Sequence, residues 1–133
     1  MVMHEHWSDA YLGCDYADCG ALAEDIAARE FGVEASLPAP SDSPRANSRA
    51  VRELAGEIAR ELPDHSGYWL DGDIMILQPL GSKRLNGHHV GTLCKIAGDW
   101  HVVHLNERLG AIRTPVRRLA TFGYRSDGVY RWI

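Results

Sequence analysis

The part of the sequence that decides the fold is two strand-like segments with a short break, HVGTLCKI at residues 89–96, AGD at 97–99 and WHVVHLN at 100–106. A Gly-Asp pair between two such segments predicts a β-hairpin. Because successive side chains of a strand point to opposite faces, His104 shares a face with Val102, and His101 lies on the other face. The same alternation lets only one of His88 and His89 point inward. We therefore expect His89 and His104 to lie side by side.

Further strands are predicted on both sides of this hairpin. Asp73 to Leu77 is a short apolar run directly after Asp71-Gly72, which is typical of a strand that follows a turn. Shorter segments near residues 111–113 and 129–132 can complete a small antiparallel sheet.

The first half of the chain has helical periodicity instead. Asp18 is a good N-cap and Gly32 a good C-terminal stop, which predicts a helix from Cys19 to Phe31. Its apolar stripe consists of Leu22, Ala23, Ile26 and Ala27. A proline-rich surface loop is predicted at residues 37–44, and a second helix from about residue 48 to residue 62. Helices followed by strands predict one α+β domain over residues 1–133.

Composition excludes several classes of function. The chain has 133 residues, 45% hydrophobic and 24% charged, which is typical of a globular protein with one core. A net charge of −4 argues against nucleic acid as the main partner, since Lys and Arg dominate phosphate binding. No apolar run approaches the roughly 20 residues of a membrane span. The first residues do not have the pattern of a signal peptide, so we expect a cytoplasmic protein at synthesis.

Cys19 is the candidate nucleophile. At the first turn of a helix, a cysteine meets the positive end of the helix dipole and its unpaired N–H groups. Both favour the thiolate, so a lowered pKa is expected, and the same N–H groups can hold the oxyanion of an acyl-transfer intermediate. A cysteine at this position can also be a small buried hydrophobe, and its position alone favours that interpretation over a nucleophile.

The hairpin histidines supply the base that a cysteine nucleophile needs. That base must lie within hydrogen-bonding reach of the thiol and must itself be oriented by a third group. His89 and His104, on one face of the hairpin, fit these two roles. The alternative is that they are surface histidines on a solvated sheet face.

Short motifs across the chain have a distinctive order and spacing. They are Tyr11-Leu12-Gly13, Asp18-Cys19, Phe31-Gly32, Leu37-Pro38, Gly72-Asp73-Ile74, His89-Val90-Gly91, Val103-His104 and Tyr130-Arg131-Trp132. In this respect the chain resembles the NlpC/P60 peptidases, in particular the short forms encoded by phages and prophages with tail-assembly genes. The resemblance runs from Trp7 to Trp132 and is weakest around residues 38–47.

The resemblance implies a papain-like fold, with the nucleophile's helix packed on the sheet that carries the histidines. It implies that Cys19 is the nucleophile, His89 the general base and His104 the group that orients the imidazole. Tyr11 would line the oxyanion site together with the Cys19 amide. The implied substrates are peptide bonds in the stem peptides of bacterial peptidoglycan, and no cofactor or metal is implied.

Two other functions remain open. The chain can be a non-catalytic component of a phage tail or tail tip that keeps the peptidase fold for binding, with phage tail proteins as its partners. The same thiol chemistry can also serve transfer to another acceptor, because the shape of the pocket selects the acceptor.

The two remaining cysteines are expected to be structural. Cys14 lies in a loop, and Cys94 lies on the face of its strand opposite to His89, so neither has an activating position. This alternation also argues against a zinc site built from Cys94 and the histidines, and no metal-binding spacing is present.

Overall fold

The computed structural model describes residues 6–35, 59–63, 65–80 and 89–133. In these residues the chain forms one α-helix, α1 (Cys19–Phe31), and a six-stranded sheet. The strands are β1 (Ala59–Glu61), β2 (Ile74–Pro79), β3 (His89–Ile96), β4 (Asp99–Asn106), β5 (Gly110–Pro115) and β6 (Tyr124–Trp132). Their order is β1-β6-β2-β3-β4-β5, and all pairs are antiparallel. The expected mixture of helix and antiparallel sheet is confirmed.

Helix α1 has the predicted bounds, because both of its ends are specified locally. The Asp18 carboxylate accepts a hydrogen bond from the Ala21 N–H at 2.8 Å, and Gly32 ends the helix in the left-handed conformation with φ 66°. Asp25 and Arg29, four residues apart in the helix, form an ion pair at 3.7 Å. The apolar stripe of the helix is buried, so α1 is held on the sheet by this face.

The predicted second helix is wrong at residues 59–61, the part of it that the structure describes as a strand. Residues 59–61 form the edge strand β1, paired with β6 from Ala59 opposite Trp132 to Glu61 opposite Tyr130. The apolar residues of this region follow a helical period, but the strand is fixed by hydrogen bonds to the last strand of the chain. Residues 48–58, and the loop predicted at 37–44, lie outside the described residues.

The predicted hairpin forms, with its turn at Ala97 and Gly98 where the sequence had suggested the Gly98-Asp99 pair. A two-residue turn joins Ile96 to Asp99, with positive φ at Ala97 (52°) and at Gly98 (83°). Positive φ at both central residues is the geometry of a type I′ turn, whose twist matches that of the two strands. The register from Thr92 opposite Val103 to Ile96 opposite Asp99 follows from this turn.

The two faces of the sheet are buried by different parts of the chain. Helix α1 covers one face, where Leu22 and Ile26 pack with Cys94 and Val103. The opposite core consists of Met75, Leu77, Leu93, Val102, Leu119 and Val129. His89 and His104 belong to this second side by alternation, since they share parity with Leu93 and Val102, as expected.

Gly91 lies between the two histidines and permits the close approach of β3 and β4. A Cβ atom at this position would collide with the Cγ2 of Val102 and would lie 2.9 Å from the Val103 carbonyl oxygen and 3.2 Å from the His104 Cβ. The Gly of the His89-Val90-Gly91 motif therefore has a packing role.

Candidate active site

The candidate active site begins at the first residue of α1. The Cys19 side chain is partly buried against the core cluster that contains Val90 and Ala23. The backbone N–H groups of Val90, Gly20 and Cys19 itself lie near enough to the sulfur to lower the pKa of the thiol, against the larger opposite effect of burial. Because the Asp18 carboxylate takes the Ala21 N–H, the first two amides of the helix are left for the thiol.

The end of the β3–β4 ladder explains why the Val90 amide reaches the sulfur. Leu93 exchanges backbone hydrogen bonds with residues 72 and 73, so its polar backbone groups point away from β4. Because these groups alternate in direction along a strand, the backbone N–H and C=O groups of Thr92 and Val90 point toward β4. Pairing with β4 nevertheless ends at Thr92 opposite Val103, and the next hydrogen-bonded pair in register would be Val90 with Leu105. We call these two residues the open pair.

Side chains, and not a strand–strand hydrogen bond, occupy the free backbone groups of the open pair. The Val90 N–H interacts with the Cys19 sulfur, and the Leu105 carbonyl oxygen lies 2.9 Å from the His89 Nε2. Thus the thiol and the imidazole take the donor and the acceptor of one missing strand–strand hydrogen bond. The Cys19 sulfur and the His89 imidazole thus meet backbone groups at the same end of β3, although alternation assigns the His89 side chain to the face of the sheet opposite α1.

The contact with Leu105 determines the tautomer of His89. A carbonyl oxygen only accepts hydrogen bonds, so Nε2 carries the proton and Nδ1 keeps a free lone pair. Burial lowers the pKa of His89, against the opposing effects of the Leu105 carbonyl and the Glu107 carboxylate. The imidazole is therefore neutral at neutral pH, which is the form in which it can accept a proton.

The expected lowering of the Cys19 pKa is wrong. Burial raises the pKa of the thiol above its ordinary value of 9.0, and the nearby Asp18 carboxylate also raises it. The N–H groups of Val90, Gly20 and Cys19 lower the pKa but do not outweigh burial. Both the thiol and the imidazole are consequently neutral in the resting protein, and removal of the thiol proton requires a base.

His104 lies beside His89 but has a different bonding partner. Its ring is 5.4 Å from the His89 ring, centroid to centroid, with 87° between the planes. Its Nε2 lies 2.9 Å from the Thr114 hydroxyl oxygen, and its buried Nδ1 has no hydrogen-bond partner among the described residues. The group that orients His89 by a hydrogen bond is therefore the Leu105 carbonyl, where the sequence had suggested the His104 side chain.

Tyr11 is placed away from the nucleophile. Its hydroxyl donates to the Glu30 carboxylate at 2.7 Å, near the last turn of α1, whereas Cys19 begins the first turn. At 1.5 Å per residue, the helix separates these two positions by about 16 Å. Tyr11 is buried against Leu22 and Ile26, so its position is that of a core residue. The expected contribution to the oxyanion site is not compatible with this placement.

Tyr124 is a member of the site that the sequence did not reveal. Its ring stacks on the His89 ring with 5.3 Å between centroids and 7° between planes. Tyr124 opens β6, which reaches His89 only because β6 pairs with β2 and β2 with β3. The role of the Leu105 carbonyl was also not predictable from sequence. Every residue has a carbonyl, and only the end of the β3–β4 pairing leaves this one free to bind His89.

The remaining cysteines have surroundings without activating groups of the kind found at Cys19. Cys14 is exposed, and its Sγ lies 3.6 Å from the Ala10 carbonyl oxygen. Cys94 is buried with Leu22 and Ile26, and burial raises its pKa to about 11. In the described part of the chain, no group of His, Cys, Asp and Glu side chains is arranged to hold a metal ion.

A separate cavity lies at the far end of the hairpin. Its volume is about 390 Å³, and Trp69 and Trp100 form its wall with ring centroids 5.7 Å apart. It adjoins Gly98 of the turn, about 23 Å from His89 along β3 at 3.3 Å per residue. This cavity is therefore not part of the candidate active site.

Comparison with known proteins does not identify a relative. No protein-family model, no curated protein and no solved structure matches this chain. The search for membrane spans, made over the described residues, found no helix with the length and apolar character to cross a bilayer.

Proposed function

We propose that this protein is a cysteine peptidase or amidase in which Cys19 attacks the carbonyl carbon of an amide bond and His89 acts as general base. The observation that carries the proposal is the open pair, whose Val90 N–H and Leu105 carbonyl hold the thiol and the imidazole at one strand end. A nucleophile and a base in this relation, with the base oriented by a third group, are the requirement for acyl transfer by a thiol.

The reaction follows from the protonation states. As the sulfur of Cys19 bonds to the carbonyl carbon, its proton passes to Nδ1 of His89, and the resulting imidazolium is stabilised because Nε2–H donates to Leu105. The N–H groups at the start of α1 stabilise the negative charge on the carbonyl oxygen. The imidazolium then protonates the leaving amine, which leaves a thioester. Water, deprotonated by His89, hydrolyses the thioester to a carboxylic acid and restores the thiol.

The substrate class is proposed from the resemblance to NlpC/P60 peptidases. It consists of amide bonds in the stem peptides of bacterial peptidoglycan, and a phage or prophage origin would bring the protein to the cell wall with a tail. The antiparallel sheet with the thiol at the start of the packed helix is compatible with the papain-like arrangement that this resemblance implies.

A second function is favoured by one observation, the raised pKa of the Cys19 thiol. A protein that uses this fold only for binding, such as a component of a phage tail, does not need an activated thiol. In that case the neutral, partly buried Cys19 would be a packing residue.

The decisive experiment compares two cysteine variants on purified peptidoglycan. We expect the wild-type protein and Cys14→Ala to release the same cleaved muropeptides, detected by mass spectrometry, and Cys19→Ala to release none. Cys14 is the matched control because it is a free thiol five positions earlier in the chain and outside the site.

The result also separates the two functions. Release by Cys19→Ala at the wild-type rate would exclude Cys19 as the nucleophile. If the wild-type protein releases nothing but sediments with the same peptidoglycan or with purified tail proteins, the binding function is supported and the peptidase is rejected.

A further inference from the structure

Tyr124 reaches the candidate active site from the last strand of the sheet. It follows Gly123, which has a left-handed conformation with φ 90°, and its N–H donates to the Leu119 carbonyl at 2.9 Å. In the sheet, Tyr124 is opposite Pro79 of β2, while Leu77 of the same strand is opposite His89. The register therefore puts Tyr124 and His89 at the same end of the sheet, on the two strands that flank β2.

Three rings meet at this end of the sheet. The His89 and Tyr124 rings are nearly parallel, and the His104 ring stands almost perpendicular to both, at 87° and 80°. The three centroids are 5.3 Å to 5.4 Å apart, which is the range for favourable offset-stacked and edge-to-face contacts. Since His104 is buried and bonded to Thr114, it forms a fixed support for the other two rings.

Tyr124 also lies near the nucleophile. Burial raises the pKa of its hydroxyl, and the charges of Glu107 and of ionised Cys19 raise it further. The tyrosine thus lies within electrostatic range of the sulfur while its ring stacks on the imidazole.

The hydrogen bond to Leu105 does not by itself fix the imidazole. A single Nε2–H···O contact leaves the ring free to rotate about the line that joins the two atoms, and this rotation moves Nδ1. A flat contact on the face of the ring, together with the edge of His104, removes that freedom. Base catalysis depends on a fixed orientation of the imidazole, because an error of about 1 Å in placing a reacting group can cost about a hundredfold in rate.

We propose that Tyr124 is a positioning residue for His89, whose ring holds the imidazole in the plane that directs Nδ1 to Cys19. The inference rests on the proposed function, and it deepens that function by naming a residue that acts through the base. It requires the flat ring of Tyr124 and does not require the hydroxyl.

The test compares Tyr124→Phe, which keeps the ring, with Tyr124→Leu, which removes it. We expect Tyr124→Phe to keep kcat for peptidoglycan stem peptides within about twofold. Tyr124→Leu should lower kcat by about ten- to a hundredfold with KM nearly unchanged. In NMR at pH 7.5, the His89 ring should keep the Nε2–H tautomer in all three proteins, but its ring-proton signals should be sharp in wild type and Tyr124→Phe and broadened by rotation of the ring in Tyr124→Leu.

The outcomes separate this inference from the proposed function. An unchanged kcat, or equally sharp His89 ring signals, in Tyr124→Leu would overturn the role of Tyr124 even if the wild-type enzyme is active. If the wild type cleaves nothing, the proposed function fails, and the NMR measurement of ring motion still decides whether the Tyr124 ring positions His89. If Tyr124→Leu does not fold, Tyr124→Met removes the flat face with a flexible side chain and is judged by the same measurements.

Discussion

The surroundings of His89 and those of His104 form two adjacent regions of the β3–β4 hairpin with opposite character. His89 is partly buried at a strand end, and its Nε2 binds a backbone carbonyl. His104 is 1% exposed, and its Nε2 lies against the Thr114 hydroxyl. The sequence assigns the two residues to one catalytic unit, yet only the Leu105 carbonyl at His89 fixes a tautomer, with the proton on Nε2 and a free lone pair on Nδ1. Proximity of two histidines therefore does not give them related roles.

The difference originates in the strand ladder. His104 lies where β4 pairs with β5, opposite Ile112, so its surroundings are those of a continuous sheet. His89 lies beyond the last pair of β3 with β4, where Val90 and Leu105 are not bonded to each other. An interrupted ladder leaves strong backbone donors and acceptors that must be satisfied, and here a thiol and an imidazole satisfy them.

The largest expected effect comes from replacing each histidine in turn, which tests whether the two have different roles. We expect His89→Gln to lower the rate of stem-peptide cleavage by at least about a hundredfold, because the base is lost. His104→Gln should keep the rate within about tenfold and should instead lower the midpoint of urea unfolding, since the new side chain packs less well between the rings. Both properties are measured on the same preparations. Equal losses of activity in the two variants would contradict the division of roles.

The pH dependence of the free energy of unfolding gives a second test of the surroundings of His104. Burial, and then the proximity of His89, lower the pKa of His104 to about 4 from an ordinary value of 6.5. Between these two values the unfolded chain binds a proton that the folded chain does not, so acid favours unfolding. This stability is fully present above pH 6.5 and is lost as the pH falls toward 4, by up to about 1.4 kcal/mol per pH unit for this residue.

Urea unfolding between pH 7.5 and pH 4.5 measures this effect. We expect the free energy of unfolding to fall with decreasing pH in the wild type, and to fall less steeply in His104→Gln. Measurements at pH 7.5 give the cost of the substitution itself, because both histidines are then neutral. A slope that the substitution leaves unchanged would show that His104 is not held neutral by the core.

Local signals explain how much of the fold was predictable. Helix α1 was predicted with its bounds because Asp18 and Gly32 specify both of its ends. The hairpin was predictable because residues 97–99 contain its turn. Strand β1 was not, since Ala59–Glu61 acquires its conformation by pairing with a strand about 70 residues later, as its register with Trp132 demonstrates.

The same distinction applies to the site. The positions of Cys19 at a helix start and of His89 at a strand end were predictable, because both ends are marked by local sequence signals. Tyr124 and the Leu105 carbonyl depend on strand order and on where pairing ends, which no local pattern encodes. Tyr11 was misplaced because its distance from Cys19 depends on how residues 7–11 pack, and they pack against the later turns of α1. The rise in the Cys19 pKa was missed because the sequence shows the amides but not the depth of burial.

The smallest expected effect concerns the charge near His89. The Glu107 carboxylate raises the pKa of His89, against the larger lowering by burial. Glu107→Gln should therefore lower the His89 pKa slightly at low salt, since an exposed charge acts weakly through solvent. The acid limb of the pH–rate profile should move to lower pH by the same amount, because His89 then stays neutral in slightly more acidic solution.

Titration of the His89 ring by NMR measures this shift directly, and Glu61→Gln provides a control that removes the same charge from the edge strand β1. The shift should shrink when salt is raised from 10 mM to 1 M, as the Debye length falls from about 30 Å to about 3 Å. The pKa of His104 should shift less than that of His89. Beside burial, the charge of His89 affects the His104 pKa, whereas Glu107 is not among its causes. An equal shift of both histidines would mean that they titrate as one unit, and the distinction between a base and its support would then be wrong.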